Sequence, residues 1–279
     1  MNDDGDDHYI PDIHNAHIDT RDFESDLESL AQGLTGPELD RANLWSRVHD
    51  LVMSRLSGEI EQPSDEALIC RYLSPTKFLW FIRAFEIYFG SASAFEDKAD
   101  CGVPQDYNHC VQQFFLKRGV LPIAWDDHAE KFRADWLVSS WTELTDHHDD
   151  YLLWHRYAGG PYGVGITIQY CHLNEFLKRE FRNQETDKLP LTDFTSGKVS
   201  YGAPLRIPPF SKRRIFRNEK EIRFVCRGFA LAAVPISIAS LKERLGLRFS
   251  PDAPRYHIDA VLKTWIKFGG NDRYQIAGE

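Results

Sequence analysis

The sequence predicts an α+β fold, a single domain with a mixed or split β-sheet flanked by helices. Three observations predict it. Short apolar segments of strand type recur at 67–73, 86–91, 136–144, 162–170 and 216–227. Segments with apolar residues three and four apart lie before, between and after them. No repeat and no interior linker divides them, and a hydrophobic content of 42% with 13% aromatics is that of a chain with a real core. The organisation expected is an acidic arm over 1–34, mobile or only partly helical; a helical segment over 35–66; an α+β domain over 67–270; and a frayed tail over 271–279.

The elements follow in order. Gly36-Pro37-Glu38 opens a helix in which Leu44, Trp45, Val48, Leu51, Val52 and Leu56 recur at helical spacing, and Ser57-Gly58 closes it. Ala67–Leu73 reads as a strand. Ser74-Pro75-Thr76 caps a helix whose apolar side is Phe78, Leu79, Phe81, Ile82 and Phe85. Glu86–Ser91 is a second strand, ending in the small residues Gly90-Ser91-Ala92-Ser93, where backbone can come close to another group. No G-x-x-x-x-G-K follows, so this is not a P-loop. Residues 106–118 and 126–135 read as helices around a break at Gly119 to Pro122. Trp136–Leu144 is a third strand rich in hydroxyls. Asp146–Asp150 begin a helix through Trp154 and Tyr157 that Gly159-Gly160 stops. Tyr162–Tyr170 is a fourth strand whose glycines are expected to leave exposed backbone. His172–Arg182 is an amphipathic helix, Lys198–Tyr201 a short strand, and Ala230–Ile236 a further strand. Ser240–Leu245 is a helical turn, and Arg255–Phe268 a closing helix with Ile258, Val261, Leu262 and Trp265 inward.

The segment Phe216–Arg227 carries the most chemistry. Residues two apart on a strand share a face, so Ile222, Phe224 and Cys226 fall on one side and Glu219, Glu221, Arg223 and Arg227 on the other. This predicts a half-buried strand whose second face holds two carboxylates and two guanidiniums. Paired carboxylates among cations suit a site for a phosphate-bearing ligand; a solvated face of cross-strand ion pairs suits the same pattern.

Charge is asymmetric. The net charge is −9, and the ten acids and one base of residues 1–30 account for all of it. Residues 206–227 hold eight bases and two acids, so the arm suits either a solubilising disordered tail or a segment that lies over this basic stretch and competes with an anionic ligand. No run of apolar residues is long enough for a membrane helix, and no basic-then-apolar leader opens the sequence. Cys70, Cys101, Cys110, Cys171 and Cys226 are scattered and odd in number, which suits reduced thiols and a cytoplasmic location. His14-x-x-His17 beside Asp12 and Asp19 could bind a metal but lies in the acidic arm, and Cys101, His109, Cys110 and His128 further on fit no zinc spacing, so no metal is expected.

Trp154-x-x-Tyr157 followed by Gly163-Val164-Gly165-Ile166, then Val199-x-Tyr201, then Glu219-x-Glu221-x-Arg223, then Phe249-Ser250-Pro251 with its helix, resemble in order and spacing the bacterial and phage domain-of-unknown-function family 2971. Arg71-Tyr72 stands where that family has Lys-Tyr or Arg-Tyr. Only Glu96-Asp97 corresponds to its Asn-Asp-Pro-Phe-Glu motif. The resemblance spans roughly residues 68–268 and implies no activity by itself. A second resemblance is to ADP-ribosyltransferases of the arginine–serine–glutamate type. They carry an Arg on a first strand, a Ser-Thr-Ser on a later one and Glu-x-Glu on another; Arg71, Ser139-Ser140-Trp141-Thr142 and Glu219-Lys220-Glu221 fall in that order, with Trp141 interrupting the hydroxyls.

That resemblance implies NAD as substrate, a macromolecular acceptor (protein or nucleic acid) and a role as a toxin or antiphage effector. Arg71 would hold the pyrophosphate bidentately. Glu221 would grip the ribose and stabilise an oxocarbenium-like state, with Ser139 or Ser140 positioning it. Glu219 would act as base towards the acceptor. Tyr72, Trp154, Tyr157, Arg223 or Tyr88 would complete the nucleotide site, and His155 is a further candidate acid or base. Two other functions stay open: a nucleic-acid-binding or nucleolytic effector using the basic stretch with Phe210 and Phe216, and a non-catalytic ligand sensor or partner-binding module.

Overall fold

The computed structural model describes residues 20–32, 42–55, 59–97, 100–103, 105–119, 127, 130–131, 133–145, 151–184, 191–201, 208–228 and 231–278. The expected helix start at Gly36, its stop at Ser57-Gly58, the arm's histidines, the break at Gly119–Pro122 beyond Gly119, and the acids 146–150 lie outside them.

The chain folds as one α+β body. Its strands are β1 (Leu68–Leu73), β2 (Glu86–Ser91), β3 (Trp136–Glu143), β4 (Val164–Gln169), β5 (Leu191–Lys198), β6 (Ser200–Tyr201), β7 (Ser211–Lys212), β8 (Glu221–Gly228), β9 (Ala233–Ser237), β10 (Gly246–Phe249) and β11 (Tyr274–Ile276). The helices are α1 (Arg21–Leu30), α2 (Ala42–Arg55), α3 (Pro75–Ala84), α4 (Gln105–Leu116), α5 (Tyr151–Leu153), α6 (Tyr170–Gln184) and α7 (Arg255–Lys267). Short 3₁₀ turns join several of them, and α5 runs on into a π-helical turn over Trp154–Ala158.

The main sheet is mixed, because β10 and β11 pair in parallel and the other pairs are antiparallel. Its central feature is a fork at β3. Along one edge, β8 pairs with β3 from Trp136 to Thr142. A strand has only two edges, so β1 and β2 must share the other one. β1 takes its C-terminal end (Cys70 opposite Thr142), and β2 its N-terminal half (Gly90 opposite Val138). Between those two points the edge of β3 is open.

One face of the sheet carries the large core. Ile69, Ile166, Ile222, Phe224 and Cys226 pack there with α6, and with α3 and α7 through Phe78, Phe81 and Trp265. Ser74 caps α3 by accepting from the Lys77 amide, and Phe85 ends that helix in a left-handed conformation at φ 50°. A smaller core of α1, α2 and α4 gathers Phe23, Leu27, Val48, Val111 and Phe115.

The arm is partly helical, within what was expected of it, and four other expectations are corrected. Residues 21–30 of the arm form a helix with Phe23 and Leu27 buried. Its acids Asp26 and Glu28 pair with Arg55 and Arg118, not with the basic segment 206–227. The tail is not frayed, since β11 pairs with β10 and Ala277 is buried. The glycines around β4 serve close packing, not exposure: a Cβ on Gly163 would sit 2.2 Å from Ala158 Cβ, and one on Gly165 would sit 2.7 Å from Cys70 Sγ. Finally, the Glu219–Arg227 segment is buried on both faces of β8, and Glu219 precedes the strand in a 3₁₀ turn, with Lys220 left-handed at φ 42°.

Candidate functional site

The fork opens onto a cavity of about 630 Å³. That is the size of an ordinary small-ligand site. Arg71, Tyr72, Ser140, Tyr157, Glu219, Glu221 and Arg223 all line it, so seven of the nine sequence-derived candidates meet in one place. They come from β1, β3, the π-turn, the 3₁₀ turn before β8, and β8 itself. The antiparallel register explains part of this. Ser140 lies opposite Arg223 and Thr142 opposite Glu221, so these four side chains share one face.

The other two candidates lie elsewhere. Ser139 is fully buried on the core face, and its Oγ accepts from Arg71 Nη1 at 2.7 Å and from Trp141 Nε1 at 3.2 Å. It therefore holds the arginine rather than a ligand. Trp154 is 0% exposed and packs edge-on against Tyr72 at 4.8 Å between ring centres, so it is core and not a stacking platform.

Arg71 reaches into the fork. Its Nη2 also donates to the Tyr88 carbonyl at 3.2 Å. Those partners are neutral, and among the described residues no carboxylate pairs with it. Burial without a counter-charge pulls the guanidinium down to about 10. A half-buried cation left unbalanced on a cavity wall is a ready seat for an anion.

The opposite wall is the reverse case, a buried network that balances itself. Arg223, 0% exposed, forms two-pronged pairs with Asp100 (2.8 and 2.9 Å) and with Glu221 (2.7 and 3.1 Å). Lys212 Nζ lies 2.6 Å from Glu219, 3.0 Å from Glu221 and 3.7 Å from Asp100. Tyr157 donates to Glu219 at 2.7 Å, and Arg156 reaches the same carboxylate at 3.2 Å. Three carboxylates thus meet three cations. Burial alone would push Glu221 up, but Arg223 and Lys212, with hydrogen bonds from Arg223 and Ser140, outweigh it and hold the carboxyl at about 2. Burial disfavours the Lys212 ammonium, yet Glu221 and Glu219 outweigh it and raise its pKa. Tyr157 and Tyr201 are pushed up, first by burial and then by Glu219 and Glu221 respectively.

The chemical consequence is specific. Glu221 is a permanent anion near neutral pH, suited to stabilise positive charge and unsuited to carry protons. Sequence reasoning missed Asp100, which arrives from the loop after β2 with Cys101 left-handed beside it at φ 60°. It also missed the pairing role of Lys212 and the place of Phe216, whose ring has Arg156, Lys212 and Arg213 at 4.8, 4.9 and 5.4 Å. No local pattern marks these; a long-range fold brings them together. Much of the basic stretch is engaged internally, since Lys212, Arg213 and Arg223 all pair with carboxylates. Among the described residues, no group of acids, cysteines and histidines is arranged to hold a metal ion.

No family model, no curated protein and no solved structure matches the chain. The resemblances seen in the sequence therefore rest on the quoted residues alone.

Proposed function

We propose that the cavity binds NAD and that the chain is an ADP-ribosyltransferase-like enzyme that modifies a macromolecule. One observation carries the reading. Arg71, Ser140 and Glu221 stand on β1, β3 and β8, which are successive neighbours in the sheet, and all three side chains line one cavity. The unbalanced guanidinium takes the pyrophosphate. Glu221, ionised and oriented by Ser140 and Arg223, faces the ribose. As the bond between the ribose carbon and nicotinamide breaks, nicotinamide leaves with the electron pair and the ribose becomes cationic. The fixed carboxylate lowers the energy of that cation. An acceptor nucleophile then bonds to the same carbon and gives up its proton, for which Glu219 stands on the same wall. Tyr157 and Tyr88, both partly exposed on the cavity rim, offer faces for the nicotinamide.

A second reading has its own observation. The Glu221 oxygens already accept from Arg223 Nε, Arg223 Nη2, Lys212 and Ser140. A carboxylate so fully engaged suits a sensor that binds a nucleotide without turning it over. Labelled NAD, incubated with cell lysate and either the wild type or Glu221→Gln, separates the two. Transfer of label by wild type alone supports the enzyme. Binding without release of nicotinamide by either protein supports the sensor. Absence of binding overturns both.

A further inference from the structure

Helix α3 has a second face that its packing does not use. Phe78, Phe81 and Ile82 turn inward. Lys77, Trp80 and Arg83 turn outward at successive three-residue steps, which align side chains along one side of a helix. Trp80 is 66% exposed, close to the most exposed of the large apolar side chains among the described residues. The helix, PTKFLWFIRA, contains no acid, and among the described residues neither Lys77 nor Arg83 has a carboxylate partner. The outer face is therefore cation, indole, cation, with its charges unbalanced. It is also continuous with the cavity. Lys77 lines the cavity rim, as does Tyr88, 44% exposed, whose own carbonyl receives the Arg71 guanidinium.

From this geometry we infer that the α3 ridge binds single-stranded nucleic acid and leads it to the cavity mouth. An exposed planar ring between two cations fits a base stacked on the indole with backbone phosphates on either side. Lys77 and then Arg71 continue the positive track inward, to the seat of the anion. A duplex keeps its bases stacked on one another and cannot use the indole. An acidic peptide would match the cations but gains little from a bare ring face. The inference names the acceptor class for the transferase proposed above and rests on that reading in this respect; the binding surface itself needs no NAD.

The test is fluorescence anisotropy without NAD. The probes are a labelled mixed-sequence single strand of about 12 nucleotides, the same sequence as a duplex, and a polyglutamate peptide. The proteins are the wild type, Trp80→Ala and the double variant K77Q/R83Q. The wild type should prefer the single strand over both other probes. Trp80→Ala should weaken that binding roughly 5- to 160-fold. The double variant should weaken it and reduce the slope of log affinity against log salt by about 1.4, or ~0.7 for each lost phosphate contact. Absence of single-strand binding, or binding indifferent to Trp80→Ala, overturns the inference. Polyglutamate bound as tightly and equally by Trp80→Ala replaces it with an acidic protein partner. NAD binding by the same preparations is measured separately. If NAD binds and the oligonucleotide does not, only the ridge inference fails. If the oligonucleotide binds and NAD does not, the transferase reading fails and the surface stands.

Discussion

Replacing Glu221 with Gln removes one charge from the buried network while keeping its shape, and the structure fixes what should follow. The folded protein holds this carboxyl at about 2, against an ordinary 4.5. At 1.36 kcal/mol per unit, that difference of about 2.5 units corresponds to about 3 kcal/mol of stability. The sign follows from the direction of the shift. A carboxyl whose pKa is depressed on folding contributes fully above its unfolded value, and the contribution is lost as pH falls towards the folded value. The wild type should therefore lose about 3 kcal/mol from this group between pH 6 and pH 2, with more than half gone by pH 3. Glu221→Gln has no such group to titrate. The gap in stability between the two proteins should be widest near neutrality and close by the same amount in acid. Urea unfolding of both proteins at intervals from pH 7 to pH 3 measures it. With a urea slope of about 3 kcal/mol per molar, the midpoints should converge by roughly 0.7 M over that range. Two curves that stay parallel would refute the account of Glu221 as an ion held by Arg223 and Lys212.

Other perturbations separate ligand binding from folding. Arg71→Met should leave the thermal midpoint unchanged or raise it, because it removes a half-buried cation with no counter-ion among the described residues, and it should weaken binding of ADP-ribose at least tenfold by calorimetry. Tyr157→Phe should lower stability by about 1.5–3 kcal/mol in denaturant, the worth of a hydrogen bond to the charged Glu219. Gly163→Ala should cost about 3 kcal/mol and lower Tm by ~6–10 °C, since its new methyl would lie 2.7 Å from the Ala158 carbonyl oxygen, which cannot move aside. Leu27→Ala should cost about 2–5 kcal/mol in the same assay, if residues 21–30 belong to the folded body as their burial requires.

The strands nearest the site were legible because they carry strong patterns. The alternation of β8 places Ile222, Phe224 and Cys226 in the core, as they are. It cannot say what covers the other face. Arg223 is fully buried because Asp100, more than a hundred residues earlier, is brought against it. Alternation also carried Glu219 into the strand. The chain instead turns there through a left-handed Lys220, and Glu219 reaches the cavity from outside the sheet. β5 was read only at its end, because LTDFTSGK carries few apolar residues and is held by pairing with β8. β11 is three residues long, too short for any period to show. In α1 the signal was present, Phe23 and Leu27 at i, i+4, but it lay within a run of acids. Trp154 and Tyr157 looked equivalent in sequence. The π-helical turn sends one behind Tyr72 and the other to the cavity.

The measurement that bears most directly on the central claim is an experimental structure of the protein with NAD or ADP-ribose bound. The account predicts ligand in the cavity at the β3 fork, with pyrophosphate oxygens on the Arg71 guanidinium and a ribose hydroxyl facing Glu221, Lys212 having withdrawn from that carboxylate. A ligand bound elsewhere, or bound in the cavity with its phosphates away from Arg71, would contradict it.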